Sequence, residues 1–532
     1  MQKKIRRIRQ TYNQAKTSLA KGSLLYGLSL DKRHTIFDTE KFVNDPWAGN
    51  SSNGKDFLSG NLKLKYKDFE FDMMDVIGCK SDAPLPVFLY INSFAWIRDV
   101  KTVGGINARK HIRNWIYNFI KNYKSLKKFW MSIAWNVDIT SERIVNWMLS
   151  YSFFAAGADD DFEKEILSSI SMQYSHISKM YISENDPIVK IAALRAILFC
   201  MCSMKNVRKK QIRNIAEELF EIVKENFIGG TGIYITRNPN SHFNVFRMLL
   251  ETRFALRNTD IDFHSDILEN MALVVRFLRM GDGCISHHTG DLVSRLESMF
   301  QCRGNIIDTA LSLVHIKNHL PNENRGNIRG FDRISTKKSV VIINNEVSRV
   351  KSPFNDSSAP GLNIFDFEAS FQTDHLINKS DISILAENRR IRLHREVAKN
   401  ISRSRNDKEI RYSCEVINFE RAFQFAIRRE ISLDLHLPIL NVSEFIYTSS
   451  DSEIFIRIAM AKYAEIEQLN SSSVYVTYGR NQCIFSLKKI TNQAVSFYIN
   501  EIDNFHPCPT ITILYKNAKN TENQINWSME QR

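Results

Sequence analysis

The sequence predicts a multidomain chain of the α+β class, in which a helical barrel or bundle precedes an antiparallel β-sandwich. Two observations predict it. Between about residues 89 and 320 apolar residues recur at helical spacing. Beyond a polar break at 322–326 the apolar period becomes two, as in 455–458 and 511–514. This switch places the domain boundary near residue 328.

Each part of the chain has its own pattern. Residues 1–85 are irregular and polar, with a short alternating run near 62–71 that could form a hairpin. Residues 86–327 contain several apolar stripes with no strand pattern between them, which predicts helices joined by short loops. Residues 328–516 contain short β-rich runs separated by turn residues, which indicates a sandwich. The tail, 517–532, is expected to be frayed.

Composition narrows the function without deciding it. The 532 residues are 43% hydrophobic and 11% aromatic, which is typical of a folded globular protein. The formal net charge of +14 favours an acidic partner, such as nucleic acid, anionic lipid or an acidic polysaccharide. The eight cysteines are scattered without metal-ligand spacing and suit buried reduced thiols.

The chain shows no targeting segment. Its first residues are basic, but no apolar stretch follows them, so a secretory signal is not expected. No run of about eighteen apolar residues occurs, so no transmembrane helix is expected either. These features predict a cytoplasmic protein.

The first segment with candidate binding residues is the helix near 135–147. Arg143, Asn146 and Trp147 lie three and four residues apart and share one helical face. An indole can cover a sugar ring while the guanidinium and amide reach hydroxyls or a carboxylate. These residues are therefore candidate substrate ligands. The alternative is a packed tryptophan beside a satisfied Arg/Asn pair.

The second segment, 229–242, lies between two helices and contains three glycines. Pro239 is expected to begin the next helix, because proline is favoured at the first helical position. Tyr234, Arg237, Asn238 and His242 would then be gathered at one loop-to-helix junction. The alternative is an ordinary loop capped by Asn238 or Ser241.

The third segment, 280–290, again separates two helices. Its adjacent histidines, His287 and His288, would point in opposite directions on an extended backbone. A shared metal role is therefore not expected, and His288 is a candidate to line a cleft. Surface or packed histidines are the alternative.

Taken in order, several motifs resemble those of the bacterial heparinase II/III-like polysaccharide lyases, especially the shorter proteobacterial members. The likeness runs from about residue 45 into the sandwich. The motifs are Trp96-Ile97-Arg98-Asp99 with Gly104-Gly105, Arg143-Ile144-Val145-Asn146-Trp147, Thr236-Arg237-Asn238-Pro239 and Gly281-Asp282-Gly283. The resemblance implies an α/α toroid (an incomplete helical barrel) followed by a C-terminal antiparallel β-sandwich.

The resemblance also implies β-elimination on a uronic-acid-containing polysaccharide. Asn238 and Arg237 would bind the uronate carboxylate, and Tyr234, His242 or His288 would move protons. Relatives supply a further histidine from a sandwich strand. The nearest residue here is His375, which is therefore a candidate substrate ligand, although it is displaced by two positions, or about 7 Å along a strand. Relatives can bind a structural metal in the sandwich, but the sequence contains no ligand cluster for one, so no cofactor is expected.

Two further hypotheses compete with an active lyase. The chain could be a degenerate acidic-glycan-binding protein that keeps the cleft but not the proton-transfer residues. It could also bind nucleic acid through its excess of basic residues, although the sequence contains no recognition helix, zinc module or RNA-stacking motif that would support this. Relatives that act on external polysaccharide need export, so a periplasmic or envelope location is the alternative to the cytoplasm.

Overall fold

A computed structural model describes most of the chain. The described residues are 26, 30, 36–59, 76–77, 85–125, 129–226, 238–261, 263, 265–286, 304–314, 327–328, 330–345, 364–372, 374–386, 399–420, 423–461, 464–479, 481–488, 495–502 and 508–532. The predicted hairpin near 62–71 lies outside them. The chain divides into two compact units, one of residues 1–235, 241–271 and 293–315 and the other of 236–240, 272–292 and 316–532.

Eleven α-helices occur in the described part of the chain before residue 315. They are α1 (Ser51–Leu58), α2 (Leu85–Asn92), α3 (Ile97–Val103), α4 (Gly105–Ser125), α5 (Val137–Phe154), α6 (Asp160–Met180), α7 (Pro187–Ser203), α8 (Lys209–Asn226), α9 (Pro239–Leu256), α10 (Ser265–Phe277) and α11 (Gly304–Ser312). Within the described residues, none of them is both long enough and apolar enough to cross a bilayer.

Side-chain caps define where several of these helices begin. The Asp159 carboxylate accepts a hydrogen bond from the backbone N–H of Phe162 at 2.7 Å and starts α6. Asp186 accepts from the N–H of Ile188 at 2.8 Å, and Pro187 follows it at the first helical position of α7. The boundaries therefore follow from local sequence.

Helix α5 is buried on all sides, because every residue from Val137 to Tyr151 is buried. A helix of this kind must satisfy each of its polar side chains inside the protein. Its Glu142 does so through a buried ionic network with Arg195 on α7 and with Arg247 and Glu251 on α9.

The four charges of this network sum to zero, and each side chain is at most 3% exposed. Arg195 bridges Glu142 at 2.7 Å and Glu251 at 2.6 Å. Arg247 bridges the same two carboxylates at 3.0 and 2.9 Å. Burial alone would raise the pKa of Glu142, but the two guanidinium groups outweigh burial and hold that pKa below its ordinary value. The Trp47 indole N–H donates to Glu251 at 2.6 Å.

The segment that contains Trp47 is held against α3. Arg98 forms an ion pair with Asp45 at 2.9 Å, and Asp99 accepts the backbone N–H of Asn50 at 2.7 Å. A Cβ atom at Gly49 would lie 2.2 Å from the carbonyl oxygen of Arg98, so the backbones meet too closely for any side chain. Residues that the sequence assigns to an irregular N-terminal region are thus packed into the helical unit.

Sixteen strands occur among the described residues after 326. They are β1 (Asn327–Ile328), β2 (Phe331–Ser335), β3 (Ser339–Asn344), β4 (Ile364–Phe371), β5 (Asp374–Ala386), β6 (Lys399–Arg405), β7 (Glu409–Glu420), β8 (Phe423–Asp434), β9 (Ile439–Thr448), β10 (Ser452–Met460), β11 (Glu465–Asn470), β12 (Ser473–Tyr478), β13 (Asn481–Lys488), β14 (Val495–Ile502), β15 (Cys508–Asn517) and β16 (Thr521–Gln531).

These strands form two antiparallel sheets of eight strands each. One sheet has the order β1-β2-β3-β4-β5-β10-β15-β14, and the other has the order β11-β12-β13-β16-β9-β8-β7-β6. Buried residues of both sheets form a single hydrophobic core, as in a sandwich. Strand β9 shows the strict alternation of buried and partly exposed residues expected of a sheet with one solvated face.

The prediction of a frayed tail is wrong. Residues 521–531 form β16, which pairs with β9 on one side and with β13 on the other. Its inward side chains Ile525, Trp527 and Met529 have no exposed surface. They alternate with polar residues, so the strand pattern is present in the sequence despite its place near the C-terminus.

We expect Arg195→Met to lower the free energy of unfolding by about 3–5 kcal/mol, because it leaves two buried carboxylates with one guanidinium between them. Adding Glu142→Gln should recover part of this loss, since one cation then faces one anion. Urea denaturation of the two single variants and the double variant measures the coupling. Additive losses would contradict a shared network.

Trp527→Ala should lower the free energy of unfolding by about 3–5 kcal/mol, because it leaves a large cavity between the sheets. The matched control is Gln524→Ala on the exposed face of the same strand, which should change stability by less than about 0.5 kcal/mol. Equal small effects in chemical denaturation would mean that β16 is not part of the core.

Candidate functional site

The best-defined candidate residue is Asn238, which immediately precedes α9. Its side-chain oxygen accepts the backbone N–H of Asn240 at 2.8 Å, the bond made by a helix N-cap. Pro239 occupies the first helical position, as the sequence predicts. The cap holds the amide by its oxygen, so the opposite end of the group is a donor, Nδ2–H. Asn238 is buried, with 2% of its surface exposed.

The position of Asn238 suits an anion. The N-terminus of α9 carries a partial positive charge, and an amide N–H donor there adds to it. The cap itself was the alternative interpretation of this segment, and it is present. The cap uses the side-chain oxygen of Asn238, so by itself it does not decide between the two interpretations.

His242 lies in the first turn of α9 but is fully buried. Its Nε2 donates to the carbonyl oxygen of Met271 at 3.1 Å, which leaves Nδ1 as the unprotonated nitrogen. Burial lowers the pKa of His242 to about 4, so the ring is neutral at physiological pH. His242 thus takes part in the contact between α9 and α10, and its role in proton transfer stays a prediction.

Arg143, Asn146 and Trp147 also lie in the core. Arg143 and Trp147 have no exposed surface, and Asn146 has 6%. The Trp147 ring packs edge-on against Phe94 and Phe119 at centroid distances of 5.2 and 5.7 Å. The packed alternative therefore accounts for the contacts of these residues, and their role in lining a sugar cleft stays a prediction.

The partners of Arg143 and Asn146 explain why α5 contains them. Arg143 donates from Nη1 to the carbonyl oxygen of Asn92 at 2.8 Å, and Asn146 donates to that of Ser93 at 3.0 Å. These carbonyls end α2 and have no partner inside that helix. A cation and an amide at a helix C-terminus satisfy them and match the dipole.

Arg143 remains a cation although no carboxylate pairs with it among its described hydrogen bonds. Burial lowers the pKa of its guanidinium to about 9, which still leaves it charged at neutral pH. The Gln173 side-chain oxygen accepts from Nε at 2.8 Å, and the Phe119 ring lies 4.2 Å from the guanidinium carbon. Neutral oxygens and an aromatic face therefore stabilise this charge.

The Gly281-Asp282-Gly283 motif forms a tight turn. The N–H of Met280 donates to the carbonyl of Cys284 at 2.8 Å, and the N–H of Gly281 donates to Ser370 Oγ at 2.9 Å. A Cβ atom at Gly281 would lie 2.2 Å from the carbonyl oxygen of Gln372. Glycine is thus required because this turn packs directly on the hairpin between β4 and β5.

The remaining candidates are less defined. Tyr234, Arg237 and His288 lie outside the described residues. His375 is on β5, where its backbone pairs with Ser370 of β4. Within the described ranges, no group of three or more His, Cys, Asp or Glu side chains could hold a metal ion. The described residues therefore do not provide a fit for the structural metal that the resemblance allows.

Sequence reasoning missed the ionic network of Glu142, Arg195, Arg247 and Glu251. Two signals could have revealed it. Arg195 stands in an otherwise apolar run of α7, and Arg247 and Glu251, which have opposite charge, are four residues apart on α9. A charged residue on a buried helix needs a buried partner of opposite sign.

No family model and no curated protein matches this chain. Solved structures do match it. A mutant of the heparan sulfate lyase HepC from Pedobacter heparinus aligns with a TM-score of 0.51 and 12% identity over 97% of this chain and 88% of that one. A heparinase III aligns with a TM-score of 0.54 and 11% identity over 84% and 76%, respectively. The heparinase III named as the BT4657 gene product aligns with a TM-score of 0.52 and 11% identity over 94% of both chains.

At these identities the likeness shows the fold. It confirms the predicted class, a helical toroid followed by a C-terminal antiparallel β-sandwich. The order of helices and strands in the described residues agrees with it.

The buried state of His242 predicts a pH dependence of stability. Below its ordinary pKa of 6.5 the unfolded chain takes up a proton, whereas the folded chain does so only near pH 4. Stability is therefore lost as pH falls between these values, by up to about 3 kcal/mol. His242→Gln, which keeps a donor for Met271, should lack this component. Urea denaturation of both proteins at pH 7 and pH 4.5 checks it, and an equal pH dependence would contradict it.

Proposed function

We propose that this protein is a polysaccharide lyase that cleaves a uronic-acid-containing acidic polysaccharide by β-elimination. Three lyase structures share its two-part fold over most of their length, which supports the class of activity. The proposal rests on the position of Asn238. Its side-chain oxygen accepts the backbone N–H of Asn240, and it lies at the N-terminus of the 18-residue helix α9, which carries a partial positive charge.

The reaction has three requirements. The carboxylate on C5 of the uronate must be neutralised so that the C5 proton becomes acidic. A base must remove that proton, and an acid must protonate the departing glycosidic oxygen. Negative charge grows on the carboxylate as the proton leaves, so donors fixed beside it stabilise the transition state more than the ground state.

Asn238 meets the first requirement. Its amide donor and the start of α9 would both face the carboxylate, and neither needs to reorganise as the charge develops. A buried amide also forms a stronger hydrogen bond to an anion than an exposed one does, because little water competes. Arg237, the adjacent residue in sequence, would supply a full positive charge for the same carboxylate.

Tyr234 and His288 are the proposed proton carriers. A tyrosine beside cationic groups can act first as base and then as acid on the same face of the sugar. Since His242 is held by Met271 within the core, it is not included. The proposed partner is an acidic polysaccharide, in keeping with the net charge of +14.

A second candidate function is binding of an acidic glycan without cleavage. The burial of His242 favours it, because a proton carrier must reach the reacting atoms of its substrate, and the lyase then has one candidate fewer for that role. Product formation separates the two functions, since only a lyase releases an unsaturated uronate.

Asn238→Ser is the sharpest test of the proposal. Serine caps a helix about as well as asparagine, so the free energy of unfolding should change by only a few tenths of a kcal/mol. Loss of the amide donor should lower kcat by about 100-fold or more. Turnover is followed by the absorbance of the unsaturated product on heparan sulfate, alginate and bacterial acidic exopolysaccharides.

Asn238→Ala is the matched comparison. It removes both the cap and the amide, so it should lose about 1 kcal/mol of stability as well as the activity. Full activity in the serine variant would rule out the assigned role of Asn238. Absence of product from the native protein on all these substrates, together with measurable binding, would favour the second candidate function.

A further inference from the structure

We propose that the exposed face of α4 is a second binding site for acidic polysaccharide, separate from the residues assigned to elimination. The site is a row of side chains that we call the basic stripe. It consists of Lys110, Arg113, Tyr117, Lys121 and Lys124. The inference rests on the proposed function only for the chemical class of its ligand.

The spacing of these residues makes the stripe continuous. Successive members are three or four residues apart, so they lie on one side of the helix, over about 21 Å of its axis. Lys110, Tyr117, Lys121 and Lys124 are exposed. The opposite side, which includes Ile112 and Phe119, is buried against the rest of the helical unit.

The charge of α4 is of one sign only. Its 21 residues include five lysines and arginines but no aspartate or glutamate. Ordinary solvated helices alternate the two signs, because like charges three or four residues apart destabilise a helix. The pair Lys110 and Arg113 and the pair Lys121 and Lys124 both have this unfavourable spacing.

Among the described residues, neighbouring elements neutralise little of this charge. Lys124 pairs with Glu165 of α6 at 2.5 Å, but both side chains are over 40% exposed, so the pair is weak. Arg113 donates to the carbonyl oxygen of Gly157 at 2.7 Å, which orients the guanidinium without cancelling its charge. The first turn of α6 carries acidic residues, and these stabilise the start of that helix.

Charge complementarity therefore indicates a polyanion that lies along the helix. Tyr117, which is 50% exposed, stands between the cations and offers a ring face. An aromatic face with flanking cations suits an acidic sugar chain, whose rings stack while its carboxylates or sulfates meet the lysines. Such a surface would hold a long substrate on the protein between successive cleavages.

The test compares Lys110→Glu/Lys121→Glu with the control Lys210→Glu/Lys338→Glu. The control reverses the same number of exposed lysine charges away from α4, one in each compact unit. Affinity for heparin and alginate is measured by titration calorimetry at several salt concentrations. The stripe variant should bind about tenfold more weakly and with a shallower salt dependence, because it contacts fewer anionic groups. The control should bind like the native protein.

Several outcomes would overturn the inference. An equal loss of affinity in the stripe variant and the control would indicate that binding depends on the net charge of the protein and not on the stripe. Native affinity in the stripe variant would also contradict the inference. Binding by the native protein to phosphatidylserine vesicles or single-stranded DNA but not to the polysaccharides would assign the stripe to another partner. Thermal unfolding of the variants checks that they fold.

Lyase activity is read separately, on short oligosaccharides that do not need the stripe. Loss of binding in the stripe variant without any product from the native protein supports the stripe and contradicts the lyase. Product formation together with unchanged binding in the stripe variant contradicts the stripe alone.

Discussion

The helical unit depends on a neutral set of four buried charges. Glu142, Arg195, Arg247 and Glu251 join α5, α7 and α9, and the Trp47 indole extends the set to the N-terminal segment. Each ion has lost its water, so any displacement of one helix would leave a buried charge unpaired. The network therefore favours the observed arrangement of these three helices.

The motifs that carry the resemblance mostly maintain the fold. Arg143 and Asn146 donate hydrogen bonds to the carbonyls at the end of α2. Asp99 accepts the backbone N–H of Asn50, just before α1. Gly281 allows a close backbone contact in the sandwich unit. A helix end or a close backbone approach tolerates few alternative residues. This explains how the sequence leads to the right fold class while its motifs say less about the chemistry.

The change in the spacing of apolar residues sufficed to predict the fold class. Helices with one exposed face repeat apolar residues every three or four positions, whereas strands with one exposed face repeat them every second position. This pattern failed where burial is complete. Every face of α5 is buried. The spacing of Arg143, Asn146 and Trp147 therefore shows that they share a face, but it does not show whether protein or a ligand covers that face. Of the candidate site, the sequence could predict the cap that Asn238 forms at the start of α9, because a cap depends on local sequence. For β16 the alternation of Ile525, Trp527 and Met529 was present, and its position near the terminus was misleading.

The distribution of charge connects the fold with its proposed use. Most charged side chains in the interior of the described part of the chain are paired, as Arg429 is with Glu444 in the sandwich, although Arg143 is held by neutral oxygens and an aromatic ring. The interior therefore contributes little to the net charge of +14. The excess must therefore lie mainly on the surface, where water and salt screen it and where it can attract a polyanion. Helix α4 concentrates five cations without an acidic residue, at some cost to its own stability. A chain that needed only solubility could have mixed the two signs, so the segregation of charge on α4 is better explained by an acidic partner.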